Sequence, residues 1–485
     1  MALFLCQSIW IALTAAYPMV FDENTHFGLI KLHAQQWLPV FIHQPAGGNF
    51  GGALTRDPSY LYHYILSFPY RILVHVTANQ MIQIIGLRLI NVAFFAAALV
   101  LFRKVLLKTG APTAIVHVVL LFFVLLPVVP LLAGQINYDN LLLLFAAASL
   151  LLTMNLMERI RHQQLLPIGQ TLILATVCLL GCLVQYEYLP IMAGIFLYVG
   201  WEIWSAVRQH RLALRHSVAV SWSRTAWWRR LAIGMPFGIV VALFIGAYGL
   251  NVVFYHNLVP TCNSVLSTQQ CMANGPWYRN YTVGLAHVHG NPNPILFAGS
   301  WVYRMLVAMF YTSSGGASPQ AFYLSINPLP VVFFGALALL LIGAALCVRY
   351  GRPLLARYHG LGFLLFIGVF FSVNVWLHNY IDYVNLGQKL AINGRYLFPV
   401  VPLFLLMIAL SYREWVRRAD VRMGLVIAAF LIFLQGGGIL TYLVVSNQHW
   451  YWHNHVIQDT NRLAQGLATH IVIDKKPLAS VHKIT

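Results

Sequence analysis

Eleven apolar runs divide this chain, and basic residues gather in every second loop between them. The runs cover roughly 2–18, 80–102, 112–133, 139–156, 166–185, 189–206, 231–253, 329–348, 360–377, 396–412 and 422–446. Most approach the length a helix needs to cross a hydrocarbon core of about 30 Å. The basic loops carry Arg103/Lys104/Lys108, Arg159/Arg161, the run from Arg208 to Arg230, Arg349/Arg352/Arg357 and Arg413/Arg417/Arg418/Arg422. Placing all of them in the cytoplasm satisfies the positive-inside preference without a conflict. The amino terminus then lies inside and the tail from about 447 lies outside. The expected fold is an all-α polytopic membrane protein with about eleven transmembrane helices.

Composition closes off the alternatives. Of 485 residues, 59% are hydrophobic and 9% are charged, where a soluble protein carries about 25% charged residues. The net charge of +18 sits in short runs beside apolar segments, which suits contact with anionic membrane lipids and not with nucleic acid. Thr14-Ala15-Ala16 has the small residues of a signal-cleavage region, but no basic stretch precedes it and an acidic pair follows, so the first run reads as a retained helix. Cys6, Cys178, Cys182 and Cys347 lie in apolar stretches as small buried side chains. Cys262 and Cys271 share an outer polar loop, where an oxidising compartment permits a disulfide.

The acids divide by side. Glu158, Glu202, Glu414 and Asp420 sit among cytoplasmic arginines, whereas Asp22, Glu23, Asp57, Asp139, Glu187, Asp382, Asp459 and Asp474 all map outside. Three outer loops are expected, at 19–79, 254–328 and 378–395. The first holds the glycine-rich Gly47-Gly48-Asn49-Phe50-Gly51-Gly52 between two amphipathic stretches, His26 to Phe41 and Pro58 to Val76, suited to lie in the interface. The second holds the cysteine pair, an apolar stretch around 294–312 with re-entrant character, and Gly315-Gly316.

Four outer clusters offer chemistry, each with a plainer reading beside it. Asp22-Glu23 precedes His26, which shares a helical face with Asp22; partial burial raises a carboxyl pKa and makes a general base, while the same acids favourably cap a helix start. Asn137-Tyr138-Asp139 reads as a polar site or as a turn with an N-cap. Glu187, between Tyr186 and Tyr188, reads as a site carboxylate or an interfacial anchor. Arg395, in Asn393-Gly394-Arg395-Tyr396-Leu397-Phe398-Pro399, breaks the positive-inside pattern. Its guanidinium suits a phosphate, with Lys389 as a nearby point charge, or pairing with Asp382, or snorkelling to headgroups. His287-x-His289 is too sparse for a metal site; Asp22 or Glu23 with one of the first-loop histidines could complete one, and no CxxC or zinc spacing occurs.

In this order the motifs resemble the C-type superfamily of membrane glycosyltransferases. Phe21-Asp22-Glu23…His26-Phe27-Gly28 is similar to the first-loop motif of protein O-mannosyltransferases. Gly394-Arg395-Tyr396-Leu397-Phe398-Pro399 looks more like a bacterial membrane family of uncharacterised members thought to share that fold. The likeness covers residues 1–446 as a transmembrane glycosyltransferase-like domain, followed by a non-cytoplasmic tail, 447–485. It implies a polyprenyl-phosphate-linked sugar donor, an envelope acceptor (protein, lipid or polysaccharide) and a site on the outer face of the bacterial inner membrane. It also implies Asp22 as the base and Glu23 as its assistant. The expected substrate-binding set is His26, Asp57, Asn137, Asp139, Glu187, Lys389, Arg395 and Tyr396. A divalent metal is compatible with such a site, though nothing in the sequence indicates one. Two departures stand: Arg56-Asp57-Pro58-Ser59 replaces the His-Pro-Pro pattern of mannosyltransferases, and no large soluble domain is present. The competing expectation is a transporter or flippase of a polyprenyl-linked or other amphiphile, marked by charge or broken helices at mid-membrane.

Overall fold

The computed structural model describes residues 1–163, 166–209, 226–286, 288–311, 330–437 and 450–471. Most of the Arg208–Arg230 basic run, His287, Gly315-Gly316, the end of the 422–446 run and Asp474 lie outside the described residues. Among the described residues the chain is helical, and its one extended pairing is an antiparallel bridge between Ala15 and Tyr451. The first half comprises α1 (Ala2–Thr14), α2 (Glu23–His33), α3 (Leu61–Val76), α4 (Gln80–Lys108), α5 (Thr113–Leu125), α6 (Val128–Ala133), α7 (Asp139–Gln163), α8 (Ile168–Val184) and α9 (Leu189–Arg208). α10 (Trp227–Phe244) continues through a π-helical turn into α11 (Leu250–Tyr255). Short helices α12 (Cys262–Val265), α13 (Thr268–Cys271) and α14 (Gly275–Gly284) precede α15 (Pro294–Phe310). The chain then forms α16 (Pro330–Arg357), α17 (Leu361–Leu386), α18 (Val401–Trp415), α19 (Ala419–Gly437) and α20 (His455–Ile471).

Among the described residues, six stretches are long and apolar enough to cross a membrane: Gln80–Lys108, Asp139–Arg161, Tyr186–Arg208, Trp227–Tyr255, Pro330–Arg357 and Leu361–Leu386. α1, α5, α8 and α15 are apolar but shorter. The run at 112–133 divides into α5 and α6 because Leu126, ahead of Pro127, is extended. A residue before proline is disfavoured in the helical region. The aromatic rings of Phe4, Phe95 and Phe123 stack in series, locking α1, α4 and α5 together.

The first loop also departs from its expected bounds. Its opening helix ends at His33 and not near Phe41, because Arg71 of α3 donates to the carbonyls of His33, Ala34 and Gln36. The His33 and Ala34 carbonyls lie at the end of the helix, where carbonyls lack i+4 amide partners. The second helix begins at Leu61, after a turn in which Asp57 Oδ1 accepts from the Ser59 amide at 2.8 Å. In the large loop, Cys262 and Cys271 are joined as a disulfide, with Cα atoms 5.8 Å apart.

Ion pairs gather the basic helix ends on one side of the bundle. Lys108 of α4 meets Glu158 of α7, Arg161 of α7 meets Glu202 of α9, and Arg357 of α16 meets Glu414 of α18. Exposed pairs of this kind stabilise by about 0–1 kcal/mol, so their value here is as markers. The opposite ends of α4 and α7 carry buried polar residues, Gln83, Arg88 and Asn91 on α4 and Asp139 and Asn140 on α7.

Candidate active site

The site is built outward from one buried ion pair. Glu23, at the first turn of α2, and Arg88, inside α4, both have fully buried side chains, with Arg88 Nη2 2.7 Å from Glu23 Oε2. Arg88 Nε donates to Oε1 at 2.8 Å. The amides of Ile136 and Met19 supply one further donor to each oxygen, at 3.1 and 2.7 Å. Arg88 also donates to the carbonyls of Ala15 and Ala16. Glu23 thus fastens the end of α1, the start of α2, the body of α4 and the turn before α7. Four donors occupy its carboxylate, and no lone pair faces a substrate. Arg88 was absent from the sequence expectations, although a charge nine residues into an apolar helix signals a buried partner.

That fastening sets the path of Phe21 and Asp22. Both have left-handed backbones (φ 60° each), a conformation that costs non-glycine residues about 1–3 kcal/mol when imposed. Asn137 Nδ2 holds the Phe21 carbonyl at 3.1 Å, and its Oδ1 accepts the Asp139 amide at 2.9 Å. Asn137 therefore spends both ends of its amide on the framework. Asn140 Nδ2 bonds the carbonyls of Leu132, Gln135 and Asn137 from beneath. Asp22 is exposed at the N-cap position of α2 and makes no side-chain cap. It is the free carboxylate of the first-loop pair.

Asp139, Glu187, Arg395 and Tyr396 line one cavity, with Leu132, Leu142 and Phe398 among its apolar walls. Arg395 Nη1 lies 3.4 Å from Asp139 Oδ2, and both side chains are more than nine-tenths buried. The pair is poorly directed, so Arg395 Nε and Nη1 and Asp139 Oδ2 lack hydrogen-bond partners among the described residues. Arg395 Nη2 reaches Tyr396 Oη at 3.5 Å, and the guanidinium lies over the Phe21 ring, 4.7 Å from its centroid. A buried, permanently charged group with unused donors is an anion-binding element.

The Gly-Arg turn follows from packing. Asn393 Oδ1 accepts from the Arg395 amide at 3.1 Å and caps the 3₁₀ turn Gly394–Leu397. A Cβ on Gly394 would collide with the Met305 carbonyl and Met309 side chain of α15. The absent side chain lets α15 press on this turn and fixes the position of Arg395.

The histidines form a separate group behind Tyr138. His26 Nδ1 and His63 Nε2 are 3.1 Å apart, their rings stack, and His33 stacks on the far side of His63. The edge of Tyr138 meets His26 at a centroid distance of 5.0 Å. Burial lowers all three: His26 falls to about 3, with the Arg395 charge adding to the effect, His33 falls to about 4, and His63 falls well below the ordinary range. The three are neutral at physiological pH. No group of three or more His, Cys, Asp or Glu suited to a metal ion occurs among the described residues.

Of the remaining expected residues, Asp57 is raised by burial and held in its turn with Ser59, whose Oγ accepts from the Tyr186 amide. This brings the 57–59 turn against the segment that carries Glu187. Lys389 lies over the Tyr383 ring, 5.5 Å from its centroid, and does not line the cavity. Asp382 lies 3.8 Å from His378 and is not the partner of Arg395. The structure thus unites Asp139, Glu187, Arg395 and Tyr396, sets Asn137 and Glu23 beneath them as framework, and leaves Asp22, His26, Asp57 and Lys389 outside the cavity lining. In comparisons with known proteins, no family model, no curated protein and no solved structure matches this chain.

Proposed function

We propose that the chain is a membrane glycosyltransferase that moves a sugar from a polyprenyl-phosphate-linked donor to an envelope acceptor. In this proposal it has an eleven-span, C-type architecture in the bacterial inner membrane, and its site faces outward. The observation that carries the proposal is Arg395, which is buried, short of hydrogen bonds, and in one cavity with Asp139, Glu187 and Tyr396. These residues lie away from the helix ends that hold the paired basic residues.

Arg395 would bind the donor phosphate with the donors it leaves unused. It would also stabilise the charge that grows on that phosphate as it departs. The acceptor oxygen attacks the anomeric carbon, the bond from that carbon to the phosphate oxygen breaks, and the hydroxyl proton passes to Asp22. Polyprenyl phosphate leaves, and a single displacement inverts the anomeric centre. Asp139 pairs with the guanidinium without a directed hydrogen bond, which leaves Nε and Nη1 for the phosphate.

A transporter or flippase would place its charges along a path through the middle of the spans. Asp139 and Glu187 instead occupy the first turns of their spans, and Arg395 belongs to the turn before α18. That placement favours chemistry at the surface. The test is mass spectrometry of envelope glycans and glycoproteins from cells with and without the protein. A glycan that depends on the protein supports the proposal, and identical profiles reject it.

A further inference from the structure

We propose that α20 lies along the membrane surface, with Val456, Leu463 and Leu467 seated at the boundary between lipid headgroups and acyl chains. At about 100° per residue, these three side chains share one narrow face, and they are 74%, 69% and 62% exposed. About a quarter turn around the helix, Ile457 packs on the cluster of Ile11, Ala15 and Met19, and Asn461 is 3% exposed. The remaining arc carries Gln458 and the exposed pair Asp459–Arg462.

The helix therefore has three faces: one against the protein, one apolar and uncovered at roughly a right angle to it, and one polar. Three faces in this arrangement fit the corner where a helical bundle meets a bilayer surface. The protein is to the side, lipid lies below and water lies above. α20 is not among the stretches long and apolar enough to cross a membrane. It is tied to the end of the apolar helix α1 through the Ala15–Tyr451 bridge. Two backbone bonds flank that bridge, Ala16 N to Trp450 O at 2.8 Å and Trp452 N to Thr14 O at 3.0 Å. Leu13, in the last turn of α1 beside this tie, is also exposed and apolar. A lipid surface is the occupant that matches an uncovered apolar face anchored at the end of an apolar helix.

The cluster that receives Ile457 also includes Phe21, whose ring lies beneath Arg395. Seating α20 on lipid thus braces the strained segment that carries Asp22.

Nitroxide accessibility in the full-length protein tests the proposal independently of any enzymatic activity. The native disulfide is kept, Cys6→Ser and Cys347→Ser remove the accessible thiols, and Leu463→Cys or Val456→Cys carries the label. Arg462→Cys, at a side chain 63% exposed on the polar face, is the water-facing control. In nanodiscs of phosphatidylethanolamine and phosphatidylglycerol, labels at 463 and 456 should meet oxygen more than a water-soluble nickel chelate, and the label at 462 the reverse. Nickel access at 463 and 456 equal to that at 462 would overturn the proposal. Shielding of 463 and 456 from both reagents would also overturn it, since that marks a protein partner.

Discussion

Replacing Glu23 by Gln tests the fastening on which the site stands. Each Glu23 oxygen accepts from one Arg88 nitrogen and from one backbone amide. A glutamine keeps the shape but must turn its NH₂ toward one of those two donor pairs, whichever way the amide is flipped. The change also strands the Arg88 charge, with Arg88 fully buried. Removing one partner of a buried pair costs about 3–5 kcal/mol, a large share of the roughly 5–15 kcal/mol that stabilises a typical protein. Arg88→Met should cost a similar amount. Glu23→Leu with Arg88→Met should recover much of the loss, because an apolar replacement of both partners removes the desolvation penalty with the attraction. The assay is thermal unfolding in detergent, followed by intrinsic fluorescence and by recovery of monodisperse protein. A wild-type midpoint for Glu23→Gln would refute the reasoning, as would a double variant whose loss equals the sum of the two singles.

Three further outcomes follow from the geometry. Arg395→Ala should weaken binding of a polyprenyl-phosphate probe roughly 10- to 100-fold, from the loss of charge-assisted hydrogen bonds, and Arg395→Lys should restore part of it; unchanged affinity in the alanine variant removes the phosphate role. Asp22→Asn should lower turnover about 10²–10⁴-fold while donor affinity holds, and wild-type turnover would remove the base. The buried histidines make the α2–α3 hairpin acid-sensitive. With folded values depressed to about 3 for His26 and about 4 for His33, their stabilisation is complete above the unfolded value of about 6.5. It is lost as pH falls toward those values, at up to about 1.4 kcal/mol per pH unit for each group. Protection factors over residues 23–76, with exchange corrected for the intrinsic pH dependence of the amide rate, should fall between pH 7 and pH 5, and constant protection would contradict the assignment.

Much of the helical body was legible in the sequence, because an apolar run of membrane length leaves the backbone few ways to satisfy its hydrogen bonds. The break at Pro127 was legible in principle, since the proline sits between two apolar halves that cannot share one helix. The end of α2 was not, because it depends on Arg71, which lies 38 residues beyond His33. The site was legible as residue types and not as roles. Asp22 and Glu23 are adjacent and alike in sequence, yet one is exposed and the other is committed to four donors. Only the three-dimensional position of Arg88 separates them. Asn137 and Asp139 show the same division, the first holding the turn and the second facing Arg395. Gly394 carries a signal the sequence alone does not reveal, since its need arises from α15 crossing over it.

The central claim is that Arg395 holds a phosphate-linked sugar donor for transfer to the envelope. Comparative glycan mass spectrometry tests it most directly, on cells carrying the wild-type chain, no chain, or Arg395→Ala at matched membrane levels. A glycan should be present with the wild type, absent without the chain and strongly reduced in Arg395→Ala, with its polyprenyl-linked precursor accumulating in the last two. Identical glycan profiles in all three strains would contradict it.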